Sequence, residues 1–323
     1  MKLVNFLNSS AAIGLGLSFS KAMPPSLGYP FARMVADVIT MRRGSPMFSA
    51  VRANQWVVHN GKLQGAALEA MVRATFRSAG RSLYEFWHYF RDHKALLNLV
   101  EFDPSFDELI KRTRSSDQGT ILVTPHISNF DLIGRAAVLY GLNVHVLSYP
   151  QPTGGYKWQN ILRELPGMLV TPMSIQALRE ASHSLKANRA VLTGIDRPLP
   201  TGEDAKYRVR FFGHEASLPV FHIRLALKHN LPITMLGGER MSNGKYRVWA
   251  SEPIAMKRHT DLVRETVSNA ERVLEAAMEY IQRVPEQWAM FYPVWPEILT
   301  SVPFLRPNFS AAISEQTRVE HKS

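Results

Sequence analysis

Short apolar runs that alternate with helical stretches from residue 119 onward predict an α/β fold, a central mixed sheet flanked by helices. The runs at 120–123, 144–147, 168–170, 190–192, 233–236 and 246–249 have strand length and apolar or alternating composition. Stretches at 132–139, 156–165, 175–185 and 220–228 read as the helices between them. Val263, Val267, Ala270, Leu274, Ala277 and Ile281 recur at helical steps and mark a long closing helix.

Ahead of this alternation the clearest helix runs over 66–92, with Leu68, Val72, Phe76, Leu83, Trp87 and Phe90 on its stripe. Its end, 83–90, is aromatic nearly all round. That suits a membrane edge or an acyl-chain pocket, or else a helix buried on two sides. The chain divides into an N-terminal helical membrane-interface segment at 1–60, an α/β domain at 61–305 and a loose polar tail at 306–323. At the N-terminus, Ala11 to Ser20 is apolar but shorter than the ~20 residues of a spanning helix. Lys21, Pro24, Pro25 and Pro30 interrupt it. A signal peptide lacks a clean cleavage site, since Met23-Pro24-Pro25 stands there. The preferred reading is a broken amphipathic segment in the membrane interface, with Arg33, Arg42, Arg43 and Arg52 at headgroups. A helical pair packed on the core is the alternative.

The chain has 323 residues, 46% hydrophobic, enough for a sizeable core. With no cysteine, disulfides, thiolate-zinc sites and cysteine nucleophiles are excluded. A net charge of +11 suits an anionic partner. The basic residues form no long block, the densest stretch being Lys111-Arg112-Thr113-Arg114. Anionic lipid headgroups are therefore favoured over nucleic acid. His145, His183, His214, His222 and His229 show no metal-ligand spacing. No glycine-rich phosphate loop and no Gly-x-Ser-x-Gly elbow is present, so no nucleotide cofactor or serine esterase is indicated.

The chemistry concentrates in Val123-Thr124-Pro125-His126-Ile127-Ser128-Asn129-Phe130-Asp131. His126 follows an apolar strand, Asn129 can cap the next helix, and Asp131 lies in its first turn. On one continuous helix, side chains five positions apart would point ~140° apart. A turn between them can bring the carboxylate to Nδ1 of His126, leaving Nε2 to take a proton from a hydroxyl.

His-x-x-x-x-Asp after an apolar strand resembles the first block of the glycerolipid and lysophospholipid acyltransferase superfamily, most closely its branch of lipid A late acyltransferases and phosphatidylinositol mannoside acyltransferases. Arg52-Ala53-Asn54, Arg163-Glu164-Leu165-Pro166-Gly167, Gly194-Ile195-Asp196-Arg197-Pro198, Arg210-Phe211-Phe212-Gly213, Leu231-Pro232-Ile233-Thr234 and Pro285-Glu286-Gln287-Trp288 are similar to further elements of that branch, in order. The resemblance implies transfer of a fatty acyl group from acyl-coenzyme A or acyl carrier protein to a lipid or glycolipid hydroxyl, without a resident cofactor. It implies work at the cytoplasmic face of the inner membrane, peripheral or monotopic. His126 is then the general base and Asp131 its orienter. Backbone N–H groups near Ser128 and Asn129 are the expected oxyanion donors. Arg163 is expected on an anionic acceptor group or in a helix-surface salt bridge, and Asp196 and Arg197 on the headgroup or paired with each other to fix their loop. Phe211, Phe212 and Gly213 shape the loop, and Glu215 is a candidate to join a relay with His126. The chain departs from the family at Leu218-Pro219-Val220-Phe221, at the acidic Glu203-Asp204 loop and at Tyr292-Pro293-Val294-Trp295. These changes bear on the acceptor. The rivals are a thioesterase, in which water replaces the acceptor, and a non-catalytic lipid-binding protein.

Overall fold

The computed structural model describes residues 23–115, 117–150, 165–199 and 207–305. Helix α1 (Pro25–Thr40) starts on Pro25, where the missing N–H costs no helical bond. Its inner face is Gly28, Ala32, Ala36 and Thr40. These small residues let it lie close on helix α3 (Gly65–Tyr89). A Cβ on Gly28 would fall 2.1 Å from the Tyr84 ring, and one on Gly80 would fall 3.1 Å from the Ala32 carbonyl oxygen. The outer face carries Leu27, Phe31, Met34, Val35 and Val38, all exposed. Helix α2 (Pro46–Val58) is capped by Ser45, whose Oγ accepts from the Phe48 N–H, and is buried on most sides. Arg52, expected among headgroups, instead reaches Glu69 at 2.9 Å and donates to the Phe304 carbonyl at 2.7 Å. No helix among the described residues is long and apolar enough to cross a membrane.

The helix expected to run to residue 92 stops at Tyr89, because Asp92 caps a new helix, α4 (His93–Asn98), by accepting from the Ala95 N–H. The aromatic end of α3 packs on local neighbours, Tyr84 against Tyr29 and His88, and Phe86 against Phe90.

The chain then builds β1 (Val100–Phe102), α5 (Pro104–Ser115), β2 (Ile121–Thr124), α6 (Phe130–Tyr140), β3 (Val144–Ser148), β4 (Met168–Pro172), α7 (Ile175–Lys186) and β5 (Ala190–Gly194). After the hairpin β6 (Val209–Phe211) and β7 (His214–Ala216) come α8 (Phe221–His229), β8 (Ile233–Arg240), β9 (Tyr246–Ala250), α9 (Leu262–Arg283) and α10 (Pro296–Ser301). The seven-stranded sheet has the order β1-β9-β8-β2-β5-β3-β4. Strands β8, β2, β5, β3 and β4 are mutually parallel, and β9 turns antiparallel on β8 and carries β1 beside it. The sheet is mixed, as the alternation predicted. The short β1 and the β6–β7 hairpin were not anticipated. The helix expected at 156–165 lies, except for its last residue, outside the described residues.

Both faces of the sheet are covered. Ile121, Val123, Val191, Ile233 and Met235 pack toward α7, α8 and α9. Leu122, Val144, Leu192 and Leu236 pack toward α5 and α6. Burial on both faces is why these strands read as continuous apolar runs.

Candidate active site

Strands β2 and β5 are adjacent and parallel, with Thr124 opposite Gly194. His126 and Asp196 each lie two residues beyond that pair, so the sheet edge brings them together. The His126 Nδ1 lies 2.5 Å from Asp196 Oδ1, and the His126 backbone N–H donates to Oδ2 at 2.8 Å. The Trp288 indole N–H donates to the same Oδ2 at 2.7 Å. Asp196 is fully buried. Burial alone would raise its carboxyl, but the His126 charge and hydrogen bond, with the hydrogen bonds from Trp288 and the His126 N–H, hold it below the ordinary carboxylate value.

Two features fix the imidazole. Its ring meets Phe130 edge-on at 5.2 Å between centroids. Its Cε1 side also lies close against Gly194, where a Cβ would sit 2.8 Å from Cε1. Glycine at this place is a matter of room for the ring. With Nδ1 donating to Asp196, Nε2 is left as the acceptor. A base held in this way can take a proton, and the buried carboxylate stabilises the imidazolium that results.

The turn after His126 is clamped from the opposite end of the chain. Ser128 adopts φ 58° and donates its N–H to the Gln287 carbonyl at 2.7 Å, while the Ala289 N–H donates to the His126 carbonyl at 3.2 Å. The Gln287 side chain bonds both backbone groups of Arg240 on β8, at 2.8 and 3.0 Å. Asn54 on α2 donates to the carbonyls of Met290 and Tyr292 and accepts from the Val294 N–H. The arginine-x-asparagine and Pro-Glu-Gln elements thus hold the segment that carries Trp288.

A partly open cavity of about 440 Å³ lies at His126. Val146 and Leu147 both line it, as do Leu192 and Thr193. Successive strand residues point to opposite faces, so the cavity straddles the sheet edge. Beneath α6 its walls are apolar and deep in the protein. Toward α7 and α8 it opens past Ile175, 76% exposed, and the exposed Arg224.

The chain matches the model of the bacterial lipid A biosynthesis acyltransferases over residues 8–297. It belongs to that family. No curated protein matches it.

This acyltransferase rearranges several of the expected site residues. Asp131 lines the cavity, but the partner of Nδ1 is Asp196. Asp196, expected on a headgroup, is sealed between His126 and Trp288 and does not line the cavity. Ser128 and Asn129 do not line the cavity. The Ser128 N–H is spent on Gln287, so it is no oxyanion donor. Asn129 caps α6 by accepting from the Leu132 N–H, and it donates to the Ser82 carbonyl at 2.9 Å. Arg197 does line the cavity, its guanidinium between the rings of Tyr149 and Tyr292 at 3.7 and 4.3 Å. Phe211 is buried behind the site against Trp295 and Trp288. Gly213, at φ 77°, follows Phe212 at φ 51° in the two-residue turn of the β6–β7 hairpin, which needs both residues left-handed. Glu215 is exposed on β7 and away from the cavity, so it joins no relay with His126. Arg163 lies outside the described residues.

Trp288 and Gly194 lie inside motifs that the sequence shows, but nothing local in the sequence marks their roles. Their signal was adjacency, which needs the strand order. His145 and His222 are core residues. His145 sits between Ser184 and Thr171 at 2.9 Å each, and burial pushes His222 down to about 3.

Proposed function

We propose that this enzyme transfers a fatty acyl group from an acyl thioester to a hydroxyl of a membrane lipid or glycolipid, with His126 as general base and Asp196 as its orienter. The observation that carries this reading is the buried Asp196 at 2.5 Å from His126 Nδ1, at the mouth of a largely apolar cavity. His126 Nε2 accepts the acceptor's hydroxyl proton as the oxygen attacks the thioester carbonyl. The new C–O bond forms, the C–S bond breaks, and the proton passes from Nε2 to the leaving thiolate. Asp131, on the cavity wall, touches substrate rather than Nδ1. Arg197, held between two tyrosines, meets an anionic group of donor or acceptor. The thioester is a co-substrate, carried by coenzyme A or acyl carrier protein, and no resident cofactor is invoked.

Lipid substrates place the work at a membrane surface. The exposed apolar row on α1, with Arg33, Arg42 and Arg43 beside it, supports seating at an anionic interface, peripheral or monotopic, on the cytoplasmic face of the inner membrane.

The test is incubation of the purified protein and its His126→Ala variant with radiolabelled palmitoyl-coenzyme A, or the acyl carrier protein thioester, and total membrane lipid. Labelled lipid that is lost in the variant is the expected result. Free fatty acid alone would make the protein a thioesterase. Undiminished transfer in the variant would remove His126 as base.

A further inference from the structure

We infer that Gly134 and Met168 set the length of the acyl chain that this enzyme accepts. The inference rests on reading the cavity as the acyl site. The two ends of that cavity differ in kind. The α7–α8 end is open and carries the Arg224 cation. The α6 end is closed, and its walls include Ile133, Gly134, Val146, Met168, Leu192 and Leu236. None of these six is exposed and none carries a polar side-chain group. A saturated chain gains most by leaving water for such a lobe, while the polar carrier stays at the open end.

From His126 at the end of β2, the lobe runs under α6 across β5 and β3 to Met168 on β4. Three strand spacings make this crossing roughly 14 Å, room for a fatty chain rather than an acetyl group. Strand β4 is the edge of the sheet, so Met168 forms the end wall.

Gly134 stands in the interior of α6, where glycine is disfavoured. Among the described residues, a Cβ placed there meets only the Met168 methyl, at 3.8 Å, and otherwise enters open space. No clash excludes a side chain at this position. What the missing Cβ leaves is room in the lobe just short of its end wall. A methyl added at Gly134 narrows the passage, and a shortened side chain at 168 deepens it.

The experiment is a competition among saturated acyl-coenzyme A donors of ten to eighteen carbons, with product lengths read by mass spectrometry. Wild type, Gly134→Ala, Gly134→Val, Met168→Ala and Met168→Leu are compared. Each buried methylene is worth roughly fourfold in binding. Gly134→Ala is therefore expected to move the optimum about two carbons shorter, with roughly tenfold loss in relative kcat/KM for the longest productive donor. Gly134→Val moves it further, and Met168→Ala moves it longer. Thermal melts accompany each variant, and the two Met168 variants carry the test if a Gly134 variant does not fold. Transfer by wild type with an unchanged length profile in every folded variant would overturn this inference and leave the proposed function standing. No transfer or thioester cleavage by wild type at any length, with coenzyme A and acyl carrier protein thioesters alike, would remove the proposed function, and this inference with it.

Discussion

Two buried carboxylates make opposite use of the same expense. Glu85 on α3 and Asp196 after β5 are both fully buried. Glu85 is held by Arg81 Nε at 2.8 Å and by the Tyr246 hydroxyl. Its partners keep their protons at any ordinary pH, and it does not line the cavity at His126. The network ties α3 to β9. Asp196 is held by an indole, a backbone N–H and an imidazole, and the imidazole presents its other face to the cavity. A buried charge therefore marks a site only when one of its partners can change protonation where a ligand can touch it. The same contrast separates His126 from His145 and His222, which are buried without access.

The largest expected effect lies at Asp196. Asp196→Asn removes the acceptor that fixes the Nδ1 tautomer, and kcat should fall about 10³-fold with KM little changed. Glu85→Gln should leave kcat within about threefold while costing about 2 kcal/mol in a denaturant melt, moderated because Arg81 is partly exposed. If both variants lost activity equally with their folds intact, the contrast would be broken. Gly194→Ala comes next. Its methyl would force the His126 ring aside, and displacement of about 1 Å is worth roughly 10²-fold in kcat. Chemical-shift maps should confine the change to the site.

The pH dependence of stability sharpens the same point. The folded-state Asp196 carboxyl is held below its ordinary value of 3.8, so its contribution is complete above that value. It is lost as pH falls through the lower folded-state value. The stability difference between wild type and Asp196→Asn should thus shrink as pH falls below about 4, as read by urea melts. The smallest effect falls at Gly134. Gly134→Ala should gain about 0.5–1 kcal/mol from helix propensity while narrowing the acyl lobe. A loss of stability there would mean that the site has no spare room.

What the sequence made legible follows from physical range. Strand and helix alternation is local, and the central strands and the closing helix could be read from it. Strand β1 and the β6–β7 hairpin have three residues per strand, too few for a period to register. His126 stood out because it ends an apolar strand inside a recognisable motif. Its partnership with Asp196 spans 70 residues and depends on β2 lying beside β5 in parallel register, which no local pattern encodes. Glu215 was a candidate by proximity in sequence to the recognised loop, and the hairpin turns it to solvent. The polar ends of two strands that prove adjacent are the clue to seek in a similar chain.

The central claim is that Asp196, and not Asp131, holds the Nδ1 proton of His126. Proton NMR of the ¹⁵N-histidine-labelled enzyme tests it directly, with the His126 signal assigned by its loss in His126→Ala. The account predicts a low-field, slowly exchanging Nδ1–H resonance that survives Asp131→Asn and disappears in Asp196→Asn. Survival in Asp196→Asn with loss in Asp131→Asn would contradict it.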